Sequence, residues 1–284
     1  MSEDWPKWLD QISEGPKGLL PALIKQFKHD ALRAYPMLSG GGSWSLRLEG
    51  LQVGQFNGEE GWLDVGRDRA GGPGETRARW QKETGLDNPL KVANTPASMD
   101  LAITALRKFA KVWLPMPNPD PAVTIKQNEH ALESRILRGF VGITTPVGAS
   151  LALIRPNDGI VNWGSQFPTK WGRCGSARYL DALLHEEDTP WALEIKVQGG
   201  GGVGQYYRHA IAQAVLYRQF IRTATPLKQW FDDYQLDQTR CRAAIVVPKL
   251  EESPRRWAQR LTAVASALDV AFIQVPPAAA GLRR

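Results

Sequence analysis

The chain has 284 residues, of which 43% are hydrophobic, and a formal net charge of +6, so it is long enough to bury a core in one or two domains. No apolar stretch approaches the roughly 20 residues that a membrane-spanning helix needs, and the acidic start of the chain lacks the basic and apolar regions of a signal peptide. Two cysteines, Cys174 and Cys241, are too few for a disulfide framework or a zinc site. We therefore expect a cytoplasmic protein without membrane partners.

The first 115 residues predict an N-terminal region that is mostly helical. Helical patterns cover residues 18–34, 75–84 and 98–113, and Ser98 suits the N-cap of the third helix. Short strands, such as residues 45–48, lie between these helices among glycine-rich turns. This region resembles no family that we recognise, and its role is open: the alternatives are recognition of a ligand feature, contact with a protein partner or a second copy of the chain, and a cap over the following segment.

The alternating prolines between Pro115 and Pro121 predict a domain boundary. Proline disfavours helix and pulls the residue before it towards extended geometry, so residues 116–123 are expected to form a stiff linker. The predicted domains are then residues 1–115 and 124–284.

The net charge lies entirely on the second of these segments. Residues 1–120 carry equal numbers of basic and acidic side chains, so the excess of +6 belongs to residues 121–284. A basic domain suits a nucleic-acid partner, because contacts to phosphate supply most of the non-specific affinity for nucleic acid. Many basic proteins bind no nucleic acid, so the charge supports this partner without requiring it.

The second segment predicts a mixed α/β fold of alternating helices and strands. Two apolar runs, residues 179–184 and 191–197, flank a polar connection, which is typical of a β-hairpin. The remaining elements are helix 128–140, strand 150–155, helix 205–222, strand 242–247, helix 253–268 and strand 270–275. The predicted element order is therefore αβββαβαβ.

Each strand of the predicted hairpin carries a carboxylate where a half-buried strand prefers an apolar residue. These carboxylates are Asp181 and Glu194, and Lys196 follows two positions after the second. A buried carboxylate must be paired, hydrogen-bonded or bound to a metal. Mg²⁺ suits such a site, because one or two carboxylates together with substrate phosphates usually hold it.

With Gln213 and Tyr217 following on the next helix, these residues resemble the PD-(D/E)XK nuclease superfamily, in its RecB-like branch with a Gln-x-x-x-Tyr motif. The proline of the family name is absent, since Leu180 precedes the aspartate. The resemblance covers residues 124–275. It implies a restriction-endonuclease-like αβββαβ core with a mixed sheet, to which the N-terminal region is added.

The resemblance also implies roles for individual residues. Asp181, Glu194 and the backbone carbonyl of Ile195 would hold Mg²⁺, for which Mn²⁺ would substitute. Lys196 would orient the attacking water and offset charge on the phosphorus. In this family a glutamate from the preceding helix often reaches the metal, and we prefer Glu133 to Glu129, which would serve the dipole at the start of that helix.

Gln213 and Tyr217 lie one helical turn apart on one face of their helix. The resemblance implies that they grip the nucleic-acid backbone or hold Lys196 in place. Ordinary packing of the helix on the domain remains the alternative.

The function expected from these residues is Mg²⁺-dependent hydrolysis of phosphodiester bonds, in DNA in preference to RNA, by a nuclease of bacterial antiviral defence, repair or phage-related DNA processing. Whether it acts as an endonuclease or an exonuclease is left open by the sequence. One alternative is a catalytically inactive subunit that binds nucleic acid or acts as a scaffold. Another is a dinucleotide-binding loop, since Gly199, Gly201 and Gly204 follow a strand and open a helix. The acidic residue that such a loop requires about 20 residues later, at the end of the next strand, is missing.

Overall fold

The computed structural model describes residues 9–11, 14–37, 43–57, 62–65, 81–82, 84–85, 90–92, 95–114, 125–154, 167–168, 179–197, 203–249 and 255–276. These residues form two compact units, an N-terminal unit that ends at Ser134 and a C-terminal unit that begins at Arg135. The predicted linker, residues 116–123, and the glycines at 199 and 201 lie outside the described residues. The proline-rich domain boundary therefore stays a prediction.

The N-terminal unit is built around a five-stranded antiparallel sheet, in which the strands follow one another in chain order. Its elements are α1 (Leu20–Phe27), β1 (Leu32–Pro36), β2 (Trp44–Leu48), β3 (Leu51–Asn57), β4 (Trp62–Val65), β5 (Leu90–Val92) and α2 (Pro96–Trp113). Helix α3 (Ile125–Leu137) begins in this unit, and the division between the units falls within it. The prediction of a mostly helical N-terminal region with short strands did not include this sheet.

The first helix ends earlier than its apolar pattern predicts. Residues 20, 23, 24 and 27 of α1 are buried at the spacing of one helical face, but Lys28 has a φ of 59° and ends the helix in the left-handed conformation. The chain then continues as β1, whose residues pair with β2 from Leu32 to Pro36. The pairing with β2 thus overrides the helical pattern that extends to residue 34.

Helix α2 begins two residues before the predicted start, at Pro96. Thr95 is the N-cap, because its side-chain oxygen accepts a hydrogen bond from the backbone N–H of Ser98 at 3.3 Å. Proline suits the first turn of a helix, where its missing N–H leaves no bond unmade. The prediction of Ser98 as the N-cap is therefore wrong, and Ser98 is instead the residue that Thr95 caps.

One face of the N-terminal sheet is polar although it is buried. The register places Arg33 opposite Arg47 and Arg47 opposite Gln52, so these side chains share a face. The guanidinium of Arg47 lies 4.8 Å from the ring centre of Tyr35, and Arg33 and Gln52 are both buried. Because its first strand is also buried at every position, this sheet is an inner layer of the N-terminal unit.

The turn between β2 and β3 packs against the backbone of α3. Glu49 and Gly50 both have a positive φ, as in the two-residue turns that match the twist of a hairpin. A Cβ atom added to Gly50 would lie 2.9 Å from the backbone nitrogen of Ala131 and still closer to the carbonyl of His130. Only glycine allows the hairpin and the helix to approach this closely.

The C-terminal unit contains a six-stranded mixed sheet with the order β13-β12-β11-β10-β7-β6. Its elements are β6 (Ile143–Thr144), β7 (Ser150–Leu153), β8 (Phe167–Pro168), β9 (Tyr179–Leu180), β10 (Ala182–Glu186), β11 (Thr189–Ile195), α4 (Val203–Thr223), α5 (Lys228–Asp233), β12 (Arg242–Pro248), α6 (Arg255–Ala267) and β13 (Val270–Val275). Strand β10 is antiparallel to its neighbours β7 and β11, whereas β11, β12 and β13 are parallel. The prediction of a mixed α/β fold is confirmed, and each predicted helix and strand after residue 124 has a counterpart.

Helices α4 and α6 pack on the parallel part of this sheet. Their contact is a cluster of buried residues from α4, β12, α6 and β13: Tyr207, Ala210, Ile211, Ala214, Ala243, Ile245, Val247, Leu261, Ala265 and Val270. Small alanines on α4 allow that helix to lie close to β11 and β12. None of the described helices has the length and apolarity needed to cross a bilayer.

The close approach at Gly50 predicts a stability difference between two glycine variants. Gly50 and Gly148 have φ angles of +82° and +90°, but a Cβ at Gly148 meets no atom within 4 Å. Gly148→Ala should therefore cost only backbone strain, about 1 kcal/mol, whereas Gly50→Ala adds a backbone collision and should cost about 3 kcal/mol or more. Urea unfolding measures both free energies, and equal costs would contradict the packing of the hairpin on α3.

Candidate active site

The hairpin of β10 and β11 brings two carboxylates level with each other. Ala182 pairs with Leu193, so Asp181, one residue before β10, lies beside Glu194 near the end of β11. Lys196 follows directly after β11, and its backbone N–H donates to the carbonyl of Val246 on β12 at 3.0 Å. The sheet register thus collects all three predicted residues at one end of the central strand.

The ammonium of Lys196 is the centre of this cluster. Its nitrogen lies 2.6 Å from Oε1 of Glu194 and 3.9 Å from Oδ2 of Asp181. It also donates a hydrogen bond to the backbone carbonyl of Ile195 at 3.0 Å. One positive charge therefore faces both carboxylates and the carbonyl oxygen at the end of β11.

Asp181 has a second contact that fixes the backbone of β11. Its Oδ2 accepts a hydrogen bond from the backbone N–H of Ile195 at 2.7 Å. A charge-assisted bond of this kind is stronger than a bond between neutral groups. Asp181 therefore holds the peptide group that links Glu194 to Ile195, next to the peptide group whose carbonyl oxygen accepts from Lys196.

Because these side chains are largely buried, loss of the ion pair between Lys196 and Glu194 has a high cost in free energy. The side chain of Glu194 is 1% exposed, that of Lys196 is 13% exposed and that of Asp181 is 19% exposed. A buried charge is tolerated only with a partner of opposite charge and hydrogen bonds. Lys196 supplies this compensation to Glu194, and Asp181 at the rim is partly solvated.

Helix α4 adds Gln213 and Tyr217 to the same cluster. The amide nitrogen of Gln213 donates to the phenol oxygen of Tyr217 at 3.2 Å, and Tyr217 is fully buried. The pKa of Tyr217 is raised well above its ordinary value, first by burial and then by the negative charges of Glu194 and Asp181. Tyr217 is therefore an interior residue that the charges of both carboxylates reach.

Glu133 lies in the other compact unit, on the part of α3 that precedes Arg135. Its side chain is 3% exposed, and its Oε2 lies 3.1 Å from Nδ1 of His130. The sequence analysis missed this pair, although a spacing of three residues on a helix brings side chains together. The predicted part of Glu133 in metal binding stays a prediction, and so does the preference for it over Glu129.

The oxygen atoms of the site fit a hard cation by their chemistry. Among the described residues no group of three or more histidine, cysteine, aspartate or glutamate side chains is arranged to hold a metal. The site instead offers the carboxylates of Asp181 and Glu194 and the carbonyl of Ile195, all facing one point. Mg²⁺ accepts such a small set, since it keeps several waters and takes further oxygens from substrate phosphates.

Two lysines allow a direct test of the buried charge. Lys196 and Lys228 each lie 2.6 Å from a carboxylate, but the Lys228 pair with Asp232 is exposed. Without metal, Lys196→Met should destabilise the fold by about 3 kcal/mol, because it leaves Glu194 buried without this partner. Lys228→Met should change the free energy of unfolding by less than about 1 kcal/mol. If urea unfolding gave similar losses of unfolding free energy for the two variants, burial of Glu194 would not determine the cost of losing its lysine partner.

The raised pKa of Tyr217 predicts how stability depends on alkaline pH. The folded protein holds the phenol proton more tightly than the unfolded chain, whose phenol has its ordinary pKa of 10.0. The resulting stability is complete below about pH 10 and is lost as the pH rises further. At pH 8, Tyr217→Phe should cost about 1 kcal/mol through the bond from Gln213, and this gap should narrow above pH 10. Parallel stability curves for the two proteins would contradict the prediction.

The site has to be judged from its own geometry. No family model matches the chain, and searches of curated proteins and of solved structures give no match. What defines the site is a buried glutamate, an aspartate beside it and a lysine that contacts both, at the end of the central strand of a mixed sheet.

Proposed function

We propose that the protein is a Mg²⁺-dependent nuclease of the PD-(D/E)XK type that hydrolyses phosphodiester bonds in DNA. The observation that carries this proposal is the convergence of Asp181, Glu194 and Lys196 at the end of β11, where the Lys196 ammonium lies within ionic distance of both carboxylates. The sequence resemblance predicts these three residues as the catalytic set. Three residues that matched the family pattern only by chance would not be expected to converge at one point of the sheet.

The arrangement of the C-terminal unit supports the same proposal. From α3 to β13 its main elements follow the order αβββαβαβ expected of this family, with β7, β10 and β11 as the three consecutive strands. In the sheet β7, β10, β11 and β12 are neighbours, so the aspartate and the Glu-x-Lys segment lie on adjacent strands. The short strands β6, β8 and β9 and the short helix α5 are additions to this order.

Each residue of the cluster has a part in the proposed reaction. The carboxylates of Asp181 and Glu194 and the carbonyl of Ile195 would hold Mg²⁺. The bound metal would acidify a water molecule and neutralise charge on the scissile phosphate and the leaving oxygen. Lys196 would contribute a positive charge next to the phosphate and orient the attacking water, which is electrostatic catalysis that does not need the lysine to lose its proton.

Asp181, Gln213 and Tyr217 would keep this site in place. The bond from the Ile195 N–H to Asp181 holds the backbone of β11 beside the site. Tyr217 is buried, as Glu194 is, and its phenol lies within electrostatic reach of that carboxylate. Gln213 holds the phenol through the bond between its amide and the Tyr217 oxygen.

The net charge supports a nucleic-acid partner in this proposal, as does the chemistry of the site. The net charge of +6 lies on residues 121–284, which include the whole cluster. A basic surface raises the affinity for any phosphate backbone, so DNA and RNA have to be compared directly.

A second candidate is an inactive subunit that binds nucleic acid and keeps the cluster as a structural ion pair. The direct contact between Lys196 and Glu194 at 2.6 Å favours this candidate, because it neutralises the glutamate without any metal. The two candidates differ in whether nucleic acid is cut and in whether metal is needed.

Cleavage of labelled DNA, both circular and linear, and of RNA in the presence of Mg²⁺ or Mn²⁺ tests the proposal. Cutting of DNA should stop on chelation of the metal. Asp181→Asn, Glu194→Gln and Lys196→Met should each lower the rate by about 100-fold or more, because each removes a charge at the reacting phosphate. These substitutions keep the size of the side chain, and urea unfolding of each variant distinguishes a loss of folded protein from a loss of chemistry.

Lys228→Met is the matched control, since it also removes a lysine that pairs with a carboxylate but lies outside the cluster. Its rate should equal that of the wild type. Binding of DNA that survives both chelation and Asp181→Asn, without any cutting, would instead support the inactive subunit. Cutting that all three cluster variants retain would overturn the assignment of the site.

A further inference from the structure

Three oxygen atoms assigned to the metal site face the same nitrogen of this protein. They are Oε1 of Glu194, Oδ2 of Asp181 and the carbonyl oxygen of Ile195, at 2.6, 3.9 and 3.0 Å from Nζ of Lys196. Resting on the proposed function, we infer that Lys196 is a built-in counter-ion whose inward position and the bound divalent cation exclude each other. Metal binding therefore moves the Lys196 ammonium out of the cluster.

The exclusion follows from distance and charge. Mg²⁺ binds oxygen ligands at about 2.0–2.1 Å, so a cation held by Glu194 and the Ile195 carbonyl needs the space beside the same oxygens that Lys196 now contacts. An ammonium and a divalent cation also repel each other strongly at such a distance in a largely buried site. Contact of the Lys196 ammonium with these oxygens and binding of the divalent cation to them are therefore mutually exclusive.

The exchange is feasible because the lysine stem is long and reaches solvent. Lys196 lies after the end of β11, and its side chain is 13% exposed, whereas Glu194 is 1% exposed. The glutamate stays in place, and the four-carbon stem of the lysine allows its ammonium to move towards water. An outward ammonium would lie on the solvent side of the metal, where a phosphodiester has to approach.

The protein without bound metal is then in a resting state, with the Lys196 ammonium inside the cluster. Without metal, Lys196 compensates the charge of Glu194, so the fold does not depend on a bound cation. With metal, the ammonium becomes free to contact substrate. Metal affinity in the absence of DNA should then be weakened by the competition with Lys196.

The exposure of Lys196 to an amine-specific acetylating reagent tests this exchange in the wild-type protein. The protein is treated briefly with the reagent, with and without Mn²⁺, and acetylation of each lysine is quantified by mass spectrometry of its peptides. Lys196 should react slowly without metal and at least threefold faster with Mn²⁺. Lys228, which is exposed and paired with Asp232, serves as the internal control and should react equally in both conditions.

Calorimetric titration with Mn²⁺ supplies the second measurement. Lys196→Met should bind Mn²⁺ about tenfold more tightly than the wild type, since the competing charge is gone, and Lys228→Met should bind as the wild type does. Because binding is measured without DNA, the result does not depend on activity.

The outcomes separate this inference from the proposed function. If Mn²⁺ binds and DNA is cut, but acetylation of Lys196 stays equal or falls with metal, the exchange is refuted and the nuclease stands. Equal Mn²⁺ affinity of the wild type and Lys196→Met would also refute the exchange. If no Mn²⁺ binds to either protein and no DNA is cut, both the exchange and the nuclease are refuted.

Discussion

The charge of Glu194 on the central strand of the C-terminal sheet is the constraint that the rest of the site depends on. Strand β11 is buried along its whole length, so its glutamate needs compensation that solvent does not provide. Lys196 supplies the charge, and Asp181 anchors the peptide between the two residues. The pKa of the buried Tyr217 phenol is raised by its burial and then by the same negative charge. These contacts are coupled, so the removal of any one of these side chains changes the electrostatic stabilisation of the others.

The topology of the sheet makes these contacts possible. An antiparallel hairpin places residues of consecutive strands opposite each other, so Asp181 and Glu194 become neighbours although 12 residues separate them. The parallel partner β12 then binds the backbone of Lys196 just beyond the end of β11. Helix α4 returns across β11 and β12 and carries Gln213 and Tyr217 to the carboxylates. Hairpin, parallel pairing and helix each contribute a distinct part of the site.

Local patterns predicted the C-terminal unit well and the N-terminal unit poorly. Between residues 124 and 276, alternation of apolar segments with polar turns was enough to locate each main helix and strand, because a mixed sheet with covering helices repeats that pattern. In the N-terminal unit the residues after Lys28 continue an apolar helical pattern, yet pairing with β2 makes them a strand. Such pairing depends on partners that are distant in sequence, and local propensity carries no information about them. The start of α2 was missed because Thr95 and Ser98 both suit an N-cap, and only the hydrogen bond distinguishes them.

The sequence by itself determined which charged residues of the C-terminal unit are candidates for the site. Asp181, Glu194 and Lys196 were identified from their residue types and their spacing on two predicted strands, since a carboxylate within an apolar strand needs a reason to be there. Only the tertiary structure decided that the lysine faces both carboxylates and the Ile195 carbonyl, and that Tyr217 is buried behind them. The physical reason is that residue type and periodicity specify the face and the element, whereas distances between side chains depend on how separate elements pack.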